Sequence, residues 1–407
     1  EELKGLAEAC GMEAAANVTQ KPPTVNSAFY VGTGKVGEIQ RTVELTGADC
    51  VVFDNSLKPS QQRNLQRELD VPVMDRTNLI LEIFEKRART KEARLQVESA
   101  NLQYLLPRLV GMREALSRQG GGAGAGGGAG AGGGLANRGA GEKKLELDRR
   151  KIEKRLSELR KDLEAIEQDR VTQRQQRSRS ELPSVALVGY TNAGKSTLLN
   201  RMLDFYMGDE EKKVMEKDML FATLDTTVRR ISPGDNRDFL LSDTVGFIDR
   251  LPHTLIRAFR STLAEACGAD LLLLVADCSD PHYREQIQVT EDTLRELEAE
   301  KIPRLYIMNK ADLVMAEGEL PKIIGDRIFM SARDGIGMEQ LLDLIREKLF
   351  ADYVDCEMLI PYSDGAAVAY LKDHAVVSAL EYEPGGVALK LLCKKSDAGR
   401  YRKYRTA

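Results

Sequence analysis

A glycine-bounded loop that ends in lysine and serine carries the clearest chemical signal in this sequence. Residues 189–196 follow the spacing G-x-x-x-x-G-K-S, between an apolar strand pattern and a leucine-rich helix pattern. In that order, backbone N–H groups and the positive end of a helix can surround a phosphate. Lys195 can then reach the β- and γ-phosphates, and the Ser196 hydroxyl can bind Mg²⁺. The loop predicts a nucleotide site, against the alternative of a glycine turn that serves packing alone.

Two downstream segments have residues that could sense a γ-phosphate. In residues 221–225, FATLD, Thr223 is predicted to bind Mg²⁺, with Thr226 and Thr227 as alternatives. Farther on, a strand pattern ends at Asp243 in the string DTVG. The carboxylate is placed to hold Mg²⁺ through water, and the glycine N–H can contact the γ-phosphate. Both segments are therefore predicted to change with the state of the nucleotide.

The string NKAD, after a buried strand pattern, is the predicted reader of the base. The Asp312 carboxylate would accept hydrogen bonds from guanine N1–H and the 2-amino group, a pair of donors that adenine lacks. Lys310 can lie along the base plane, and the backbone of residues 331–333, SAR, can meet guanine O6. Because these motifs follow in order, each at a strand end, the sequence predicts GTP as the ligand.

Phe247 follows the DTVG string, where many regulatory GTPases have a glutamine that orients the attacking water. A phenyl ring cannot hydrogen-bond water, so slow intrinsic hydrolysis is predicted, with help from a partner or another loop. The predicted catalytic residues are Lys195, Thr223 and Gly246, and the predicted Mg²⁺ ligands are Ser196, Thr223 and Asp243. The predicted nucleotide contacts are Gly189, Tyr190, Thr191, Asn192, Ala193, Gly194, Lys195, Ser196, Thr197, Phe221, Ala222, Thr223, Leu224, Asp225, Asp243, Thr244, Val245, Gly246, Asn309, Lys310, Asp312, Ser331, Ala332 and Arg333.

Size and composition indicate a globular protein of several domains. The chain has 407 residues, and its net charge of -4 argues against a polyanion binder that works through bulk charge. The apolar run at residues 271–276 is far short of the about 18 residues that a membrane helix needs. The scattered cysteines form no C-x-x-C pair, so no zinc site is expected and a reducing compartment fits best. Because residue 1 is glutamate and not methionine, the sequence leaves open whether a leader peptide has been removed.

The N-terminal region alternates strand and helix patterns, which favours a small parallel α/β unit. Strands are predicted at residues 28–31, 51–53 and 71–74, with a helix over 60–69. Residues 32–37, GTGKVG, have the G-x-G-x-x-G spacing of dinucleotide sites. We weigh that reading against a plain turn and helix cap, which the short preceding strand pattern favours.

From about residue 77 the pattern becomes helical, with an apolar seam up to Leu109 that Pro107 should kink or break. A matching seam over residues 152–166 predicts the second arm of an antiparallel hairpin, and the glycine-rich residues 120–141 predict a flexible loop between the arms. Two basic segments can be either solvated surface or RNA contacts. The first is Arg170, Arg174, Arg177 and Arg179, at the end of the hairpin. The second is Arg400, Arg402, Lys403 and Arg405, interleaved with Tyr401 and Tyr404. Its sequence predicts that this second segment is a frayed tail.

The strings GYTNAGKSTLLN, LFATLD, SDTVGFIDRLPHTLIRAFRSTL and NKADL resemble the HflX family of translation-factor-class GTPases, as does TQKPPTVNSAFYVGTGKVGEI near the start. The resemblance implies a multidomain α/β fold. Its expected parts are a small N-terminal α/β domain (1–76), an antiparallel helical hairpin (77–180), a Ras-like P-loop GTPase domain (181–352) and a small C-terminal α/β domain (353–407).

The resemblance further implies binding to the large (50S) ribosomal subunit and its rRNA, ribosome-stimulated and Mg²⁺-dependent GTP hydrolysis, and splitting or rescue of stalled ribosomes under stress. The alternatives are a ribosome-assembly checkpoint and a slow GTP switch that recruits a non-ribosomal protein. A cytoplasmic monomer, partly associated with ribosomes or a membrane surface, is expected. Two departures from the family pattern are a lost proline in residues 137–146 and Thr226 where proline is typical, which loosens the switch backbone.

Overall fold

The computed structural model describes residues 2–21, 25–120, 134–179, 182–206, 221, 226–234, 237–249, 255, 266–316 and 318–406, and within 110–120, 134–145 and 170–179 it describes the backbone only. The chain divides into two compact units. The first comprises residues 1–173 with 219–224 and 250–260, and the second comprises the remainder. Each unit combines helices with a sheet, as the predicted multidomain α/β class requires. The domain limits at residues 76, 180 and 352 stay predictions.

The first unit begins with a small α/β part. Its two strands, β1 and β2, pair in parallel, and Leu65 and Val73 lie in its apolar core. The third helix begins at Pro59, whose missing N–H is not needed in a first turn, while Gln61 accepts a hydrogen bond from the Lys58 N–H. The elements are α1 (Glu2–Ala9), α2 (Thr33–Thr46), β1 (Val51–Phe53), α3 (Pro59–Leu69), β2 (Val73–Asp75) and α4 (Arg76–Arg87).

One N-terminal expectation, the strand at residues 28–31, is wrong, and the helix start favoured for residues 32–37 is found. Residues 28–31 form a turn closed by an isolated bridge between Asn26 and Tyr30, not a strand. A Cβ on Gly34 or Gly37 would meet no atom within 4 Å, so no described neighbour requires glycine at these positions. The GTGKVG string is the start of α2, and the dinucleotide reading fails because the strand that should position it is absent from this described segment.

Two long helices follow, α5 (Lys91–Gly120) and α6 (Gly134–Arg179). The predicted single helix from residue 77 is interrupted at residues 88–90, and Pro107 lies inside α5 without ending it. Arg155 of α6 donates two hydrogen bonds, of 2.7 and 2.8 Å, to the Glu98 carboxylate of α5. These residues lie about equally far from the chain reversal, which is the register of an antiparallel hairpin.

Parts of the hairpin prediction lie outside the described residues. These parts are residues 121–133 of the glycine-rich loop and the side chains of Arg170, Arg174, Arg177 and Arg179. The predicted end of the loop at residue 141 is wrong, because α6 already begins at Gly134. None of the described helices is long and apolar enough to cross a membrane.

A seven-stranded sheet organises the second unit, in the order β4-β5-β3-β6-β7-β9-β8. The central strands are parallel and covered on both faces, which explains their continuous apolar sequences. The strands are β3 (Ser184–Gly189), β4 (Thr227–Ile231), β5 (Phe239–Asp243), β6 (Leu271–Asp277), β7 (Arg304–Asn309), β8 (Lys322–Ile324) and β9 (Arg327–Phe329), with helices α7 (Lys195–Tyr206), α8 (Tyr283–Glu296) and α9 (Met338–Leu349). Parallel strands end at one edge of a sheet, and the motifs after β3, β5 and β7 therefore lie together there.

A three-stranded antiparallel sheet, in the order β10-β12-β11, forms the last part of the second unit. Its elements are β10 (Tyr353–Ile360), α10 (Gly365–His374), β11 (Val376–Glu383), β12 (Gly386–Lys394) and α11 (Lys395–Arg400). The predicted frayed end is wrong. After α11 the chain makes a 3₁₀ turn, and Arg405 then bridges back to Met358 of β10.

Candidate functional site

The loop between β3 and α7 has the shape of an anion cradle. Asn192 and Gly194 have left-handed backbones, with φ of 61° and 94°, which turns successive N–H groups toward a common side. The first N–H groups of α7 add to this cradle because they have no carbonyl partner within the helix. A Cβ on Gly194 would lie 2.2 Å from Asn309 Nδ2, so only glycine fits at this position.

The DTVG segment is paired with this loop. Thr191 donates its N–H to the Phe247 carbonyl at 2.8 Å, and Phe247 donates its N–H to the Gly189 carbonyl at 3.0 Å. The Thr191 N–H is thus engaged here, which confines the amide cradle to the residues after it. A Cβ on Gly246 would lie 3.0 Å from Lys195 Nζ. Gly246 is therefore beside the lysine that is predicted to hold the γ-phosphate.

Phe247 is only 2% exposed, so its ring packs inside the protein and does not face solvent at the phosphate cradle. Tyr190 and Thr244 also have packing roles. Tyr190 accepts the Asp249 N–H through its hydroxyl at 2.7 Å, and Thr244 donates its hydroxyl to the Leu187 carbonyl at 2.6 Å. These bonds hold the DTVG segment in position, so any contact of these two residues with a nucleotide stays a prediction.

Lys195 is 7% exposed, and its ammonium donates to the carbonyls of Gly189 at 3.1 Å and Tyr190 at 2.7 Å. Burial lowers the pKa of Lys195 to about 8, and the nearby Asp243 carboxylate acts in the opposite direction. A buried ammonium held by two neutral carbonyls attracts a phosphate strongly, because it has little competing solvent.

This pKa predicts a pH dependence of nucleotide binding. Only the charged ammonium attracts phosphate, and in the nucleotide-free protein it loses its proton as the pH rises through about 8. We expect the affinity for GTP and GDP to fall about tenfold between about pH 7 and about pH 9, measured by titration calorimetry. Lys195→Arg is the control, because its guanidinium stays charged and should flatten the profile. A flat profile in the unchanged protein would contradict the prediction.

The predicted Mg²⁺ ligands that the structure describes lie in contact. Ser196 Oγ donates to Asp243 Oδ2 at 2.6 Å, and the Asp243 side chain is fully buried at the end of β5. A hydroxyl and a carboxylate are ligands that Mg²⁺ prefers, so this pair fits the ion. Thr223 lies outside the described residues, together with Ala222, Leu224 and Asp225. Phe221 belongs to the first unit, where its ring packs edge-to-face on Phe84 with centroids 4.8 Å apart.

Asn309 joins the phosphate loop to the predicted base-binding loops. Its Nδ2 donates to the Ala193 carbonyl at 2.9 Å, and its Oδ1 accepts the Ala332 N–H at 3.0 Å. Asp312 follows Asn309 closely in the sequence and is exposed. A carboxylate that binds a guanine base must be accessible in this way. Contact of the Ala332 N–H with guanine O6 stays a prediction, and it would require this N–H to be shared with Asn309 or released by it.

Asp277 is a residue of this region that sequence reasoning missed. Its Oδ2 lies 2.7 Å from Lys310 Nζ, and Ser279 donates its N–H to Oδ1 at 3.0 Å. The carboxylate is held by Ser279 and directed at Lys310, whose backbone is left-handed with φ of 58°. An acidic residue at the end of β6, beside the strand that carries NKAD, is the signal that could have revealed it.

Asp277→Asn is expected to weaken binding of GTP and GDP equally, by about fivefold. Asparagine can still accept from Ser279, but Lys310 loses the charge that orients it, and partial exposure of the pair limits the effect. The affinities are measured by fluorescence titration. Asp292→Asn on α8, which breaks an exposed ion pair with Arg295, is the control and should leave both affinities unchanged. Equal losses in both variants would contradict a specific role for Asp277.

The central strands of the sheet are parallel, and the phosphate loop, the DTVG segment and NKAD all lie at strand ends. This arrangement defines a P-loop GTPase, a class of GTP hydrolases. The curated GTPase HflX of Caldanaerobacter subterraneus subsp. tengcongensis is 43% identical to this chain over 96% of it and 86% of the relative. GTPase HflX of Escherichia coli K12 is 39% identical over 98% of this chain and 92% of the relative. The chain belongs to the HflX GTPase family, and the predicted resemblance is confirmed.

Three family models match consecutive segments of the chain. They are GTP-binding GTPase N-terminal at residues 1–85, GTP-binding GTPase middle region at 87–177 and 50S ribosome-binding GTPase at 184–310. A crystal structure of a GTP-binding protein from the archaeon Sulfolobus solfataricus in complex with GDP is 27% identical, covering 85% of this chain and 94% of that one, with a TM-score of 0.42. The family models and the curated relatives confirm the multidomain α/β fold class and the GTPase activity predicted from the sequence.

Proposed function

We propose that this GTPase binds the large ribosomal subunit and its rRNA, and that hydrolysis of GTP to GDP and phosphate times its engagement and release. The observation that carries the proposal is the match of residues 184–310, which include the phosphate loop, DTVG and NKAD, to a family described as 50S ribosome-binding GTPases. Under stress, the same cycle would split or rescue stalled ribosomes. The protein acts as a monomer in the cytoplasm, associating with ribosomes when GTP is bound.

The chain's own residues divide the work of binding and hydrolysis. The Lys195 ammonium and the Gly246 N–H would contact the γ-phosphate, while Ser196, Asp243 and Thr223 would hold Mg²⁺. The chemistry that Mg²⁺ would supply there is positive charge against the phosphate oxygens. Guanine is selected by the Asp312 carboxylate and positioned by Lys310 and the loop at residues 331–333.

Stimulation by a partner follows from the buried Phe247. Its ring is enclosed by protein, and no glutamine stands at its position to orient water. A partner that accelerates hydrolysis must therefore rearrange the DTVG segment or supply a group that acts in the transition state. Docking on a large RNA-protein surface can do either by changing the hydrogen bonds that join this segment to the phosphate loop.

The test is GTP turnover by the intact chain with and without purified large ribosomal subunits. We expect large subunits to raise kcat at least about tenfold, because the groups missing from the free site come from the partner. Small subunits are the control for non-specific RNA effects, and Gly246→Ala is the control for contaminating hydrolases. Release of single subunits from 70S ribosomes, measured by light scattering, tests the splitting role.

Two outcomes would replace this proposal with its alternatives. Binding restricted to immature large subunits would indicate a ribosome-assembly checkpoint. Turnover that large subunits leave unchanged would favour a slow GTP switch that recruits a non-ribosomal protein.

A further inference from the structure

The segment from Lys394 to Arg405 is strongly basic. It contains six lysines and arginines against the single acid Asp397, in a chain of net charge -4. Asp397 is 7% exposed and accepts a hydrogen bond from the Tyr370 hydroxyl at 3.4 Å, so its charge is turned inward. The family models end at residue 310 and assign no role to this segment.

This basic segment is anchored on both sides. Tyr401 is buried in the core of the small C-terminal sheet, and Arg405 bridges to Met358 of β10. The Tyr404 hydroxyl donates to the Asp364 carboxylate at the start of α10, and this bond lowers the pKa of Asp364. The cations are therefore presented by a fixed backbone, so binding a ligand would cost little ordering entropy.

Aromatic rings support the cations of this segment. The Arg400 guanidinium lies 5.2 Å from the centroid of the Tyr370 ring and 5.3 Å from that of Tyr401. His374 stacks on the same Tyr370 ring, with centroids 4.1 Å apart and planes 10° apart. Lys403 lies 4.4 Å over the Tyr404 ring. We call the exposed residues Arg400, Arg402, Lys403 and Arg405, with the Tyr370–His374 stack, the cationic surface.

One ion pair of the cationic surface is long. Lys403 is 3.9 Å from Asp364, at the limit of an ion pair. Exposed pairs of this kind contribute little free energy and exchange readily for a stronger anion. Phosphates spaced along a nucleic-acid backbone would offer several such anions at once.

We propose that the cationic surface binds the phosphate backbone of RNA, with the stacked rings available to an unpaired base. Stacked tyrosine and histidine rings beside arginine cations are features that bind single-stranded RNA, whereas a membrane surface needs exposed apolar side chains beside its cations. Among residues 395–406 the exposed residues other than the cations are Ser396, Gly399 and Thr406, and none is a large apolar residue. The inference rests on the proposed function, since it names the surface through which rRNA would be held.

The experiment measures binding of the full chain to protein-free rRNA of the large subunit across a range of salt concentrations. The triple variant Arg400→Gln, Arg402→Gln, Arg405→Gln should bind at least about tenfold more weakly at low salt and reduce the slope of log affinity against log salt by about 2. A matched triple variant, Arg284→Gln, Arg295→Gln, Lys301→Gln, removes the same charge from the exposed face around α8 and should change affinity less than about twofold. Replacing the same three arginines by lysine should restore the slope, because the charge is retained.

Each outcome decides the proposal. Unchanged rRNA binding by the first variant, equal losses in the matched variant, or failure of the lysine variant to restore the slope would overturn it. Loss of binding to phosphatidylglycerol vesicles with rRNA binding intact would also overturn it, in favour of a membrane surface. If large subunits neither bind nor stimulate the unchanged protein, the proposed function fails while arginine-dependent rRNA binding still supports this surface. If stimulation is normal and rRNA binding ignores the arginines, this inference alone fails.

Discussion

Gly194→Ala is expected to weaken binding of both GTP and GDP by at least about a thousandfold, for two reasons that act at the same atom. The residue has φ of 94°, a conformation that costs other residues roughly 1–2 kcal/mol. The added Cβ would also lie 2.2 Å from Asn309 Nδ2, a distance that no packed atoms tolerate. Either the phosphate loop or Asn309 must move, and each movement separates the phosphate cradle from the base-binding loops.

Gly234→Ala is the matched control for this effect. Gly234 also has a left-handed backbone, with φ of 87°, but a Cβ there would meet no atom within 4 Å. It should therefore reproduce the backbone strain without the collision and leave nucleotide affinity nearly unchanged. Both affinities are measured by fluorescence titration, with thermal unfolding to verify that each variant folds. Comparable losses in the two variants, or an affinity of Gly194→Ala within about tenfold of the unchanged protein, would refute the steric argument.

The part of the site that sequence analysis predicted is the part that local backbone geometry dictates. A strand followed by G-x-x-x-x-G-K-S can form little else than the cradle seen between β3 and α7. The pairing of Ser196 with Asp243 also follows, because β3 and β5 are parallel neighbours whose carboxyl ends must meet. The order of the motifs along the chain was therefore sufficient to predict these contacts.

The contacts that were missed depend on side chains from distant elements. Asp277 reaches Lys310 only because β6 and β7 pair in register at their ends. The packing of Phe221 on Phe84 joins residues far apart in sequence, and neither residue type signals the other. A pattern of apolar spacing locates a core face, but it does not say which distant residue fills it.

Two errors came from taking local propensity as decisive. Glycine near the start of α6 predicted loop, yet the helix begins at Gly134, since helix propensity is a weak prior. The basic segment after β12 was expected to fray because lysine and arginine are soluble, but Tyr401 and Tyr404 supply anchors that charge counting ignores. The partners of these tyrosines, Asp364 and the core of the small sheet, lie outside the basic segment.

Asp75 accounts for the second large expected effect, on the stability of the first unit. Its carboxylate is fully buried at the start of α4 and accepts hydrogen bonds from Leu57 N–H at 3.0 Å and Asn78 N–H at 2.9 Å. From α5, the Tyr104 hydroxyl donates to it at 2.9 Å and the Arg108 guanidinium at 3.0 Å. Burial raises the pKa of the Tyr104 hydroxyl, and the negative charge of Asp75 raises it further. One carboxylate thus joins the small α/β part to the hairpin.

Asp75→Ala is expected to lower the free energy of unfolding of the first unit by about 3–5 kcal/mol, because it leaves the Arg108 charge without its partner in a largely buried place. Denaturant unfolding, followed together with amide hydrogen exchange in α3 and α5, measures the loss where it should occur. Asp49→Ala, at an exposed aspartate of the same unit, is the control and should change stability by less than about 0.5 kcal/mol. Asp75→Ala combined with Arg108→Leu should recover part of the loss, since the unpaired charge is then removed as well. A loss below about 1 kcal/mol, or no recovery in the double variant, would show that the hairpin is held to the α/β part by apolar packing instead of by this carboxylate.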